Sequence, residues 1–237
     1  GWYHTCALDD NGVQCWGANG LSAMEDVPTD LVNPVAVSAT EAHTCALDDN
    51  GVQCWGYEAD GRLDVPNLSN PVSLSANTSH SCALDDYGVH CWGINDKGST
   101  DVPENLLNPK AVEVGGTYTC ALDDNGVQCW GNNHYGATNV RTDLVNPIAI
   151  STGRDHVCAL DDNGVRCWGG NYYGPLLNPR AITVGYGHSC TLDDNGVHCW
   201  GQNTYGQSDV SKAFMFDPDN DGLTALNGDI FPLDGTE

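Results

Sequence analysis

Basic residues are scarce in this sequence of 237 residues. Eight Lys and Arg stand against 32 Asp and Glu, which gives a formal net charge of −24. A surface of that sign repels both phosphate backbones and anionic lipid head groups. We therefore expect no nucleic-acid partner and no membrane insertion.

Long apolar runs and helix formers are also lacking. No stretch approaches the roughly 20 apolar residues that a membrane-spanning helix requires. Only two Met occur, against 28 Gly and 11 Pro, and no segment keeps a helical apolar rhythm beyond two turns. These absences argue against helical bundles and solenoids, and they predict a strand-rich chain.

What the sequence does contain is a repeat. The decapeptide C-A-L-D-D-N-G-V-Q-C occurs three times without change, and three further copies differ at one or two positions. Successive first cysteines lie 39, 37, 38, 38 and 32 residues apart, a period that suits a unit of four short strands. The last, shorter spacing predicts that one outer element is missing near Gly174 and Pro175.

Each unit is expected to supply four strands. A Pro-opened strand, N-P-V-A-V-S at Asn33 and its counterparts, precedes two strands joined by a D-D-N-G turn. A Gly-rich bend then leads to a short D-V-P piece. The counterparts of the first strand begin at Asn70, Asn108, Asn146 and Asn178, and the D-V-P pieces begin at Asp26, Asp64 and Asp101.

The turn also predicts how the twelve cysteines pair. If Asp9 to Gly12 closes the hairpin symmetrically, Cys6 lies opposite Cys15, at a separation that a disulfide tolerates. A register slipped to a two-residue turn would leave both thiols unpaired, and the even count of two per unit favours the first. The predicted bridges are Cys6–Cys15, Cys45–Cys54, Cys82–Cys91, Cys120–Cys129, Cys158–Cys167 and Cys190–Cys199. Zinc is disfavoured because no C-x-x-C occurs. Since disulfides need an oxidising compartment, we expect an extracellular or cell-surface protein.

The unit resembles the regulator-of-chromosome-condensation repeat. The shared pattern is Gly-x-x-His, Ala-Leu, an acidic Gly turn, and Trp-Gly-x-Asn. It is found here at Gly1, His4, Ala7, Leu8, Gly12, Trp16, Gly17 and Asn19, and again at Gly185, His188, Leu192, Gly196, Trp200, Gly201, Asn203 and Gly206. The resemblance implies an all-β fold, a β-propeller of about six four-stranded blades, or seven if a missing blade is supplied from elsewhere. Residues 1–212 would form this propeller.

Three residue types recur once or twice per unit. His4, His43, His80, His156 and His188, with Tyr118 in the fourth unit, are expected to hydrogen-bond the backbone of a neighbouring blade; a ring of metal ligands is the alternative. The six tryptophans of the Trp-Gly pairs are predicted to pack between blades. The Asp pairs at the hairpin tips are interpreted as turn residues, with calcium binding as the alternative. Replacing Asp123 and Asp124 by Asn is accordingly expected to leave the fold intact.

Residues 213–237 differ from the repeats. The segment D-P-D-N-D-G places Asp217, Asp219 and Asp221 before a Gly, as in the opening of an EF-hand loop. Gly228 stands at the twelfth position, so Asp229 would close the loop only with a one-residue bulge; a solvated acidic linker is the alternative. The tail resembles thrombospondin type 3 calcium-binding segments, which implies Ca²⁺ as a ligand. Asn67 and Asn77 begin glycosylation sequons.

No single catalytic constellation stands out from the repeats. We therefore expect a secreted, non-enzymatic structural or interaction scaffold, since near-identical blades suit repeated contacts. One form of this hypothesis is a fibre subunit, because residues 213–216 would complete the first blade of a neighbouring chain head-to-tail. The alternatives are an adhesin that binds polysaccharide or protein, and a propeller enzyme acting on glycans.

Overall fold

The computed structural model describes residues 4–17, 26–170 and 179–210, and within them it shows six consecutive antiparallel units. Unit 1 is a two-stranded hairpin, and units 2 to 6 are three-stranded sheets. The strands are β1 (Thr5–Asp9) and β2 (Gly12–Trp16) in unit 1; β3 (Ala36–Ala39), β4 (His43–Asp48) and β5 (Gly51–Gly56) in unit 2; β6 (Ser73–Ala76), β7 (His80–Asp85) and β8 (Gly88–Gly93) in unit 3; β9 (Ala111–Val114), β10 (Tyr118–Asp123) and β11 (Gly126–Gly131) in unit 4; β12 (Ala149–Thr152), β13 (His156–Asp161) and β14 (Gly164–Gly169) in unit 5; and β15 (Ala181–Val184), β16 (His188–Asp193) and β17 (Gly196–Gly201) in unit 6.

The hairpin register is the symmetric one. Asp9 pairs with Gly12 and Cys6 with Cys15, and the same register recurs in every unit. It brings the two Cα atoms of each cysteine pair to 4.0–4.1 Å, and all six predicted disulfides are formed. The turn requires the glycine, since Gly51 has a φ of +119°, a conformation that other residues rarely adopt.

The fourth strand predicted for each unit is not formed in the described residues. The D-V-P pieces at Asp26, Asp64 and Asp101 lie in irregular connectors. Local turns use their backbone groups: the Val65 N–H donates to the Leu63 carbonyl at 2.9 Å, and Val102 repeats this with Thr100. Each piece also ends in a proline, which has no N–H to give to a ladder. The shortened spacing near Gly174 falls outside the described residues.

The core lies at the junctions between units. Cys82, Leu84 and Val89 of unit 3 pack against Val112 and Ala121 of unit 4, with Trp130 in the same cluster. The disulfide face of one unit thus covers the tryptophan face of the next, as the strand alternation predicts. Four tryptophans of the described residues are buried, at positions 55, 92, 130 and 168. The indole N–H of Trp92 donates to the Arg62 carbonyl in the preceding connector, and Trp130 and Trp168 make the equivalent bonds to Ser99 and Ala137.

The two ends of the series are more open than its interior. Trp16 of unit 1 is 52% exposed, whereas Trp168 in unit 5 is 5% exposed. At the other end, Leu192 of unit 6 is 45% exposed, whereas Leu160 in unit 5 is 4% exposed. Unit 1 therefore leaves its tryptophan face open and unit 6 leaves its disulfide face open.

No helix among residues 4–17, 26–170 and 179–210 is long and apolar enough to cross a membrane.

Candidate functional site

The first strands of units 2 to 6 surround a central channel of about 1010 Å³. The loops that follow these strands form one mouth of the channel, here called the mouth face. Hairpin tips lie at the other end of each sheet. The third residue of each inner strand lines the channel wall: Ser38, Ser75, Glu113, Ser151 and Thr183.

Serines at this position tie neighbouring units together. The hydroxyl oxygen of Ser38 accepts the Ala76 N–H at 3.2 Å, and that of Ser75 accepts the Val114 N–H at 3.0 Å. Ser151 makes the equivalent bond to Val184 at 3.0 Å. The channel wall is thus held by one hydroxyl per junction wherever a serine occupies the position.

A second set of bonds links each unit to the next through the residue two places before its first cysteine. The ring Nε2 of His43 lies 2.8 Å from the Ser81 hydroxyl of unit 3. The other pairs are His4 with Thr44 at 2.7 Å, His80 with Thr119 at 2.8 Å and His156 with Ser189 at 2.9 Å. The prediction of a bond to the neighbouring unit is confirmed, but these four histidines bond a side-chain hydroxyl where a backbone partner was expected. The residue after each histidine position projects a hydroxyl into the junction and takes that role. The backbone partner is correct for Tyr118.

Burial keeps these imidazoles neutral. It lowers the pKa of His43, His80 and His156 to about 4, with a smaller contribution from Arg62 at His43 and from a neighbouring histidine at each of the three. A neutral ring bound to a hydroxyl is structural, and no group of three or more metal-ligating side chains comes together in the part of the chain that the structure describes.

The junction between units 4 and 5 departs from this pattern. Tyr118 replaces histidine there, and its hydroxyl donates to the backbone carbonyls of Gly153 at 3.0 Å and His156 at 2.7 Å. The larger ring needs Gly115, since a Cβ at that position would lie 2.2 Å from the tyrosine ring. Burial, with smaller contributions from Asp155 and Glu113, raises the pKa of Tyr118 above its ordinary value, so it remains a donor.

Glu113 is the second departure at the same junction. It stands where units 2, 3 and 5 have serine and unit 6 has threonine, and its Oε2 accepts a hydrogen bond from Ser75 at 3.4 Å. Burial raises the pKa of Glu113 to about 7, partly offset by the bond from Ser75. Sequence analysis missed this residue, although the signal was present: N-P-K-A-V-E-V breaks the N-P-V-A-V-S pattern.

Above this junction the mouth face carries an arginine stacked on a tyrosine. The Arg154 guanidinium lies 4.8 Å from the centre of the Tyr186 ring, hydrogen-bonds its hydroxyl and faces Asp155 at 3.7 Å. Backbone bonds join the loops beneath, from Gly116 N–H to the Arg154 carbonyl and from Arg154 N–H to the Tyr186 carbonyl. Three consecutive units therefore present one continuous polar and aromatic surface.

The Asp pairs at the hairpin tips hold the connectors in place. In unit 4, Asp123 is 3% exposed, and its carboxylate accepts the backbone N–H groups of Leu107 at 2.9 Å and Asn125 at 2.8 Å. Asp124 is exposed and accepts from the side chain of Asn108. Units 2, 3 and 5 repeat the arrangement with Asp48–Asp49, Asp85–Asp86 and Asp161–Asp162. The turn interpretation is confirmed, but the two acids of a pair are not equivalent, since Asp123 is buried and Asp124 is exposed. The expectation that replacing both by Asn leaves the fold intact stays a prediction.

The remaining predicted sites are not brought into this surface. Asp217, Asp219, Asp221 and Asp229 lie outside the described residues, so calcium binding stays a prediction. Asn67 is exposed in a connector, and Asn77 is half-buried among the residues that line the channel. Glycosylation at either asparagine also stays a prediction.

Three stretches of the chain match the family model described as the regulator of chromosome condensation (RCC1) repeat: residues 110–137, 148–174 and 180–207. These stretches fall in units 4, 5 and 6. Each matched stretch begins at or just before an inner strand, so the repeat coincides with one sheet and its connector. No curated protein matches the chain.

Solved structures with this fold are similar along most of the chain. One is the ectodomain of the Physcomitrella patens receptor kinase CR4, with 24% identity, a TM-score of 0.69, and coverage of 84% of this chain and 60% of that one. The ectodomain of the Arabidopsis thaliana receptor kinase ACR4 has 24% identity, a TM-score of 0.70, and coverage of 84% and 80%. Prp20p from Saccharomyces cerevisiae has 20% identity, a TM-score of 0.68, and coverage of 87% and 70%. The fold is therefore an RCC1-like propeller, and the chain spans three fifths of the length of the moss ectodomain.

Proposed function

We propose that this chain is an extracellular, non-enzymatic β-propeller that binds a partner protein at its mouth face. The observation that carries the proposal is the disulfide in every unit, because such bonds persist in oxidising compartments and not in a reducing cytosol. Two of the similar structures are ectodomains of receptor kinases, which is consistent with this location.

The mouth face at units 4 to 6 is the surface best suited to a partner. Arg154 and Tyr186 are both exposed, and arginine and tyrosine are enriched among residues that dominate protein interfaces. The loops beneath them are tied together by backbone bonds, so the surface is pre-organised and loses little freedom on binding. A net charge of −24 favours a basic partner.

Polysaccharide is the alternative ligand class, and a glycan-cleaving enzyme is the weaker alternative. Glycosidases need two carboxylates that flank one bond. Among the described channel residues Glu113 lies in the wall, whereas the other two acids, Glu41 and Asp155, lie in the mouth loops. Glu113 therefore has no second carboxylate at its own level among the described channel residues, so the pair that a glycosidase needs is not formed around it. The arrangement favours binding over cleavage.

The test compares two variants on panels of secreted proteins and glycans. The variant R154E/Y186A should lose a partner that the wild type binds, whereas D162N, which changes an exposed hairpin-tip acid, should retain it. Mass spectrometry of the native protein should find all twelve cysteines oxidised. Equal binding by all three proteins, or free thiols in native material, would overturn the proposal.

A fibre subunit is a second candidate, favoured by the open faces at the two ends of the series. The open face of unit 6 carries His188, and the open face of unit 1 carries Thr5, the residue that follows the histidine position. The same pair of residue types joins neighbouring units elsewhere, as in His80 with Thr119. Near these positions unit 1 exposes Trp16 and unit 6 exposes Leu192. Each end face therefore offers an apolar side chain beside a hydrogen-bonding group, as the packed faces between neighbouring units do.

Head-to-tail association makes a specific prediction. Replacing Trp16 by Glu should abolish assembly, whereas replacing the exposed Tyr87 by Glu should not, because Tyr87 lies at a hairpin tip away from the end faces. Negative-stain microscopy and light scattering measure the outcome. Discrete single particles of the wild type at high concentration would refute this candidate. Strand complementation by residues 213–216 falls outside the described residues and is the proposed means of sealing.

A further inference from the structure

Glu113 has no cationic partner in the described chain. Its carboxylate accepts a hydrogen bond from Ser75 at 3.4 Å, and no Lys, Arg or His of the described residues forms an ion pair with it. The cation at the mouth, Arg154, is engaged by Asp155 and Tyr186. An uncompensated carboxylate in the wall of a channel is costly to maintain for structure alone.

Serine at this position would serve the fold. Units 2, 3 and 5 have serine there, and each of those serines bonds the backbone of the next unit. Thr152 of unit 5, which also lines the channel, is 9% exposed, and its hydroxyl has no hydrogen-bond partner in the described chain. Glu113 places an acceptor where units 2, 3 and 5 have a stabilising link.

We propose that Glu113 is the recognition carboxylate for a primary ammonium group, such as a lysine side chain, that enters the channel from the mouth face. An ammonium has three donors in a compact arrangement, which suits one carboxylate beside the hydroxyl of Ser75. A guanidinium prefers both oxygens of a carboxylate, and Ser75 already occupies one of them. Calcium requires six to eight oxygens, and no cluster of acids is present among the described residues of the channel.

The channel admits such a group. Its volume of about 1010 Å³ is several times that of a lysine side chain, and Glu41 and Asp155 at the mouth attract cations. This inference deepens the proposed protein-binding function, since it names the group that the partner would insert, but amine recognition can be measured without that partner.

The probes are n-butylammonium and Nα-acetyl-lysine amide, titrated into the oxidised protein while NMR shifts of the channel residues are followed. The wild type should bind both saturably, and n-butanol, which has no charge, should not bind. E113Q should weaken binding at least tenfold. E113S should abolish it while folding normally, because it restores the residue of units 2, 3 and 5. The matched control E104S removes the same charge from an exposed connector and should bind as the wild type does.

The pH dependence gives an independent readout. Because the pKa of Glu113 is raised to about 7, its carboxylate forms as the pH rises through 7, and ammonium binding should strengthen between pH 6 and 8. The other charged or titratable groups facing the channel are Tyr118 beside Glu113 and, at the mouth, Glu41, His134, Arg154 and Asp155, with the tyrosines 135 and 186. E113S should remove the rise, and H134Q should retain it.

Binding by E113S within twofold of the wild type, or an equal loss in E104S, would overturn the inference. Saturable amine binding together with no partner on any protein panel would leave the inference standing and refute the proposed function. A partner protein that binds wild type and E113S equally would support the proposed function and refute the role of Glu113.

Discussion

The buried histidines 43, 80 and 156 should make this protein labile to acid between about pH 4 and 6.5. The pKa of His43, His80 and His156 is lowered to about 4 in the folded chain, whereas an unfolded histidine titrates near 6.5. Between these values the unfolded chain binds three protons that the folded chain does not. The stability that the neutral rings contribute is complete above about pH 6.5 and is lost as the pH falls towards 4.

Glu113 acts in the opposite direction. Its folded pKa of about 7 exceeds the ordinary value near 4.3, so the folded chain keeps a proton that the unfolded chain has released. Around pH 5.5 the unfolded state therefore binds a net excess of two protons. At about 1.4 kcal/mol per proton and pH unit, the free energy of unfolding should fall by roughly 3 kcal/mol for each unit of pH.

Two substitutions change this slope in opposite directions. H156Y removes one titrating ring and gives unit 5 the same glycine–tyrosine pair that unit 4 has in Gly115 and Tyr118, since position 153 is glycine. It should halve the slope to about 1.4 kcal/mol per unit, whereas E113S should raise it to about 4 kcal/mol per unit. H134Y changes an exposed histidine and should leave the slope unchanged.

Guanidinium denaturation of the oxidised protein from about pH 5 to 6.5, at constant ionic strength, measures these slopes. A wild-type change below about 1 kcal/mol across that range would refute the reasoning, because roughly 4 kcal/mol is expected. Equal slopes for H156Y and H134Y would show that the imidazole in the junction between units 5 and 6 is not the titrating group.

Three further predictions rest on the repeated contacts. D123N should lower the free energy of unfolding by about 2–4 kcal/mol, because the buried carboxylate loses its charge-assisted bonds to two backbone N–H groups. D124N should leave the denaturation midpoint unchanged. Equal midpoints for the two variants would show that Asp123 does not stabilise the connector. The double variant C82A/C91A should cost about 2–4 kcal/mol without changing the disulfides of the other units, and a native-like midpoint would argue against a stabilising role. Calorimetry should show a Ca²⁺-binding event that disappears with residues 217–237 removed, and equal heats for both proteins would exclude a calcium site in the tail.

The hairpin, its register and the disulfides could be predicted because they depend on neighbours in sequence. A four-residue turn fixes which residues lie opposite one another, so Cys6 and Cys15 follow from the turn alone. The burial of Trp168 follows from strand alternation once the units are known to pack on each other. The prediction of a fourth strand was wrong for a local reason as well. The N–H groups of Val65 and Val102 donate to carbonyls two residues earlier, so they are not free for a strand partner.

The contacts between units were less accessible to sequence reasoning. The partner of His43 lies 38 residues away, and its identity depends on which side of the next hairpin faces the junction. The buried role of Asp48 had the same origin, because its carboxylate reaches Val32, which lies 16 residues earlier in the connector. A turn preference explains why an aspartate occurs there but says nothing about the backbone group that it holds.

The repeat itself is what makes the candidate site identifiable. Neighbouring units pack on each other in the same way along the chain. The bonds of Ser75 and His80 show the repeated pattern in the channel wall and in the junction between units. Glu113 and Tyr118 depart from that pattern at a single junction of the channel whose mouth carries Arg154 and Tyr186. The two backbone bonds of Tyr118 give that residue a structural role, whereas a serine in place of Glu113 would serve the fold better. The ammonium ligand proposed above needs a carboxylate in the channel, and it accounts for Glu113.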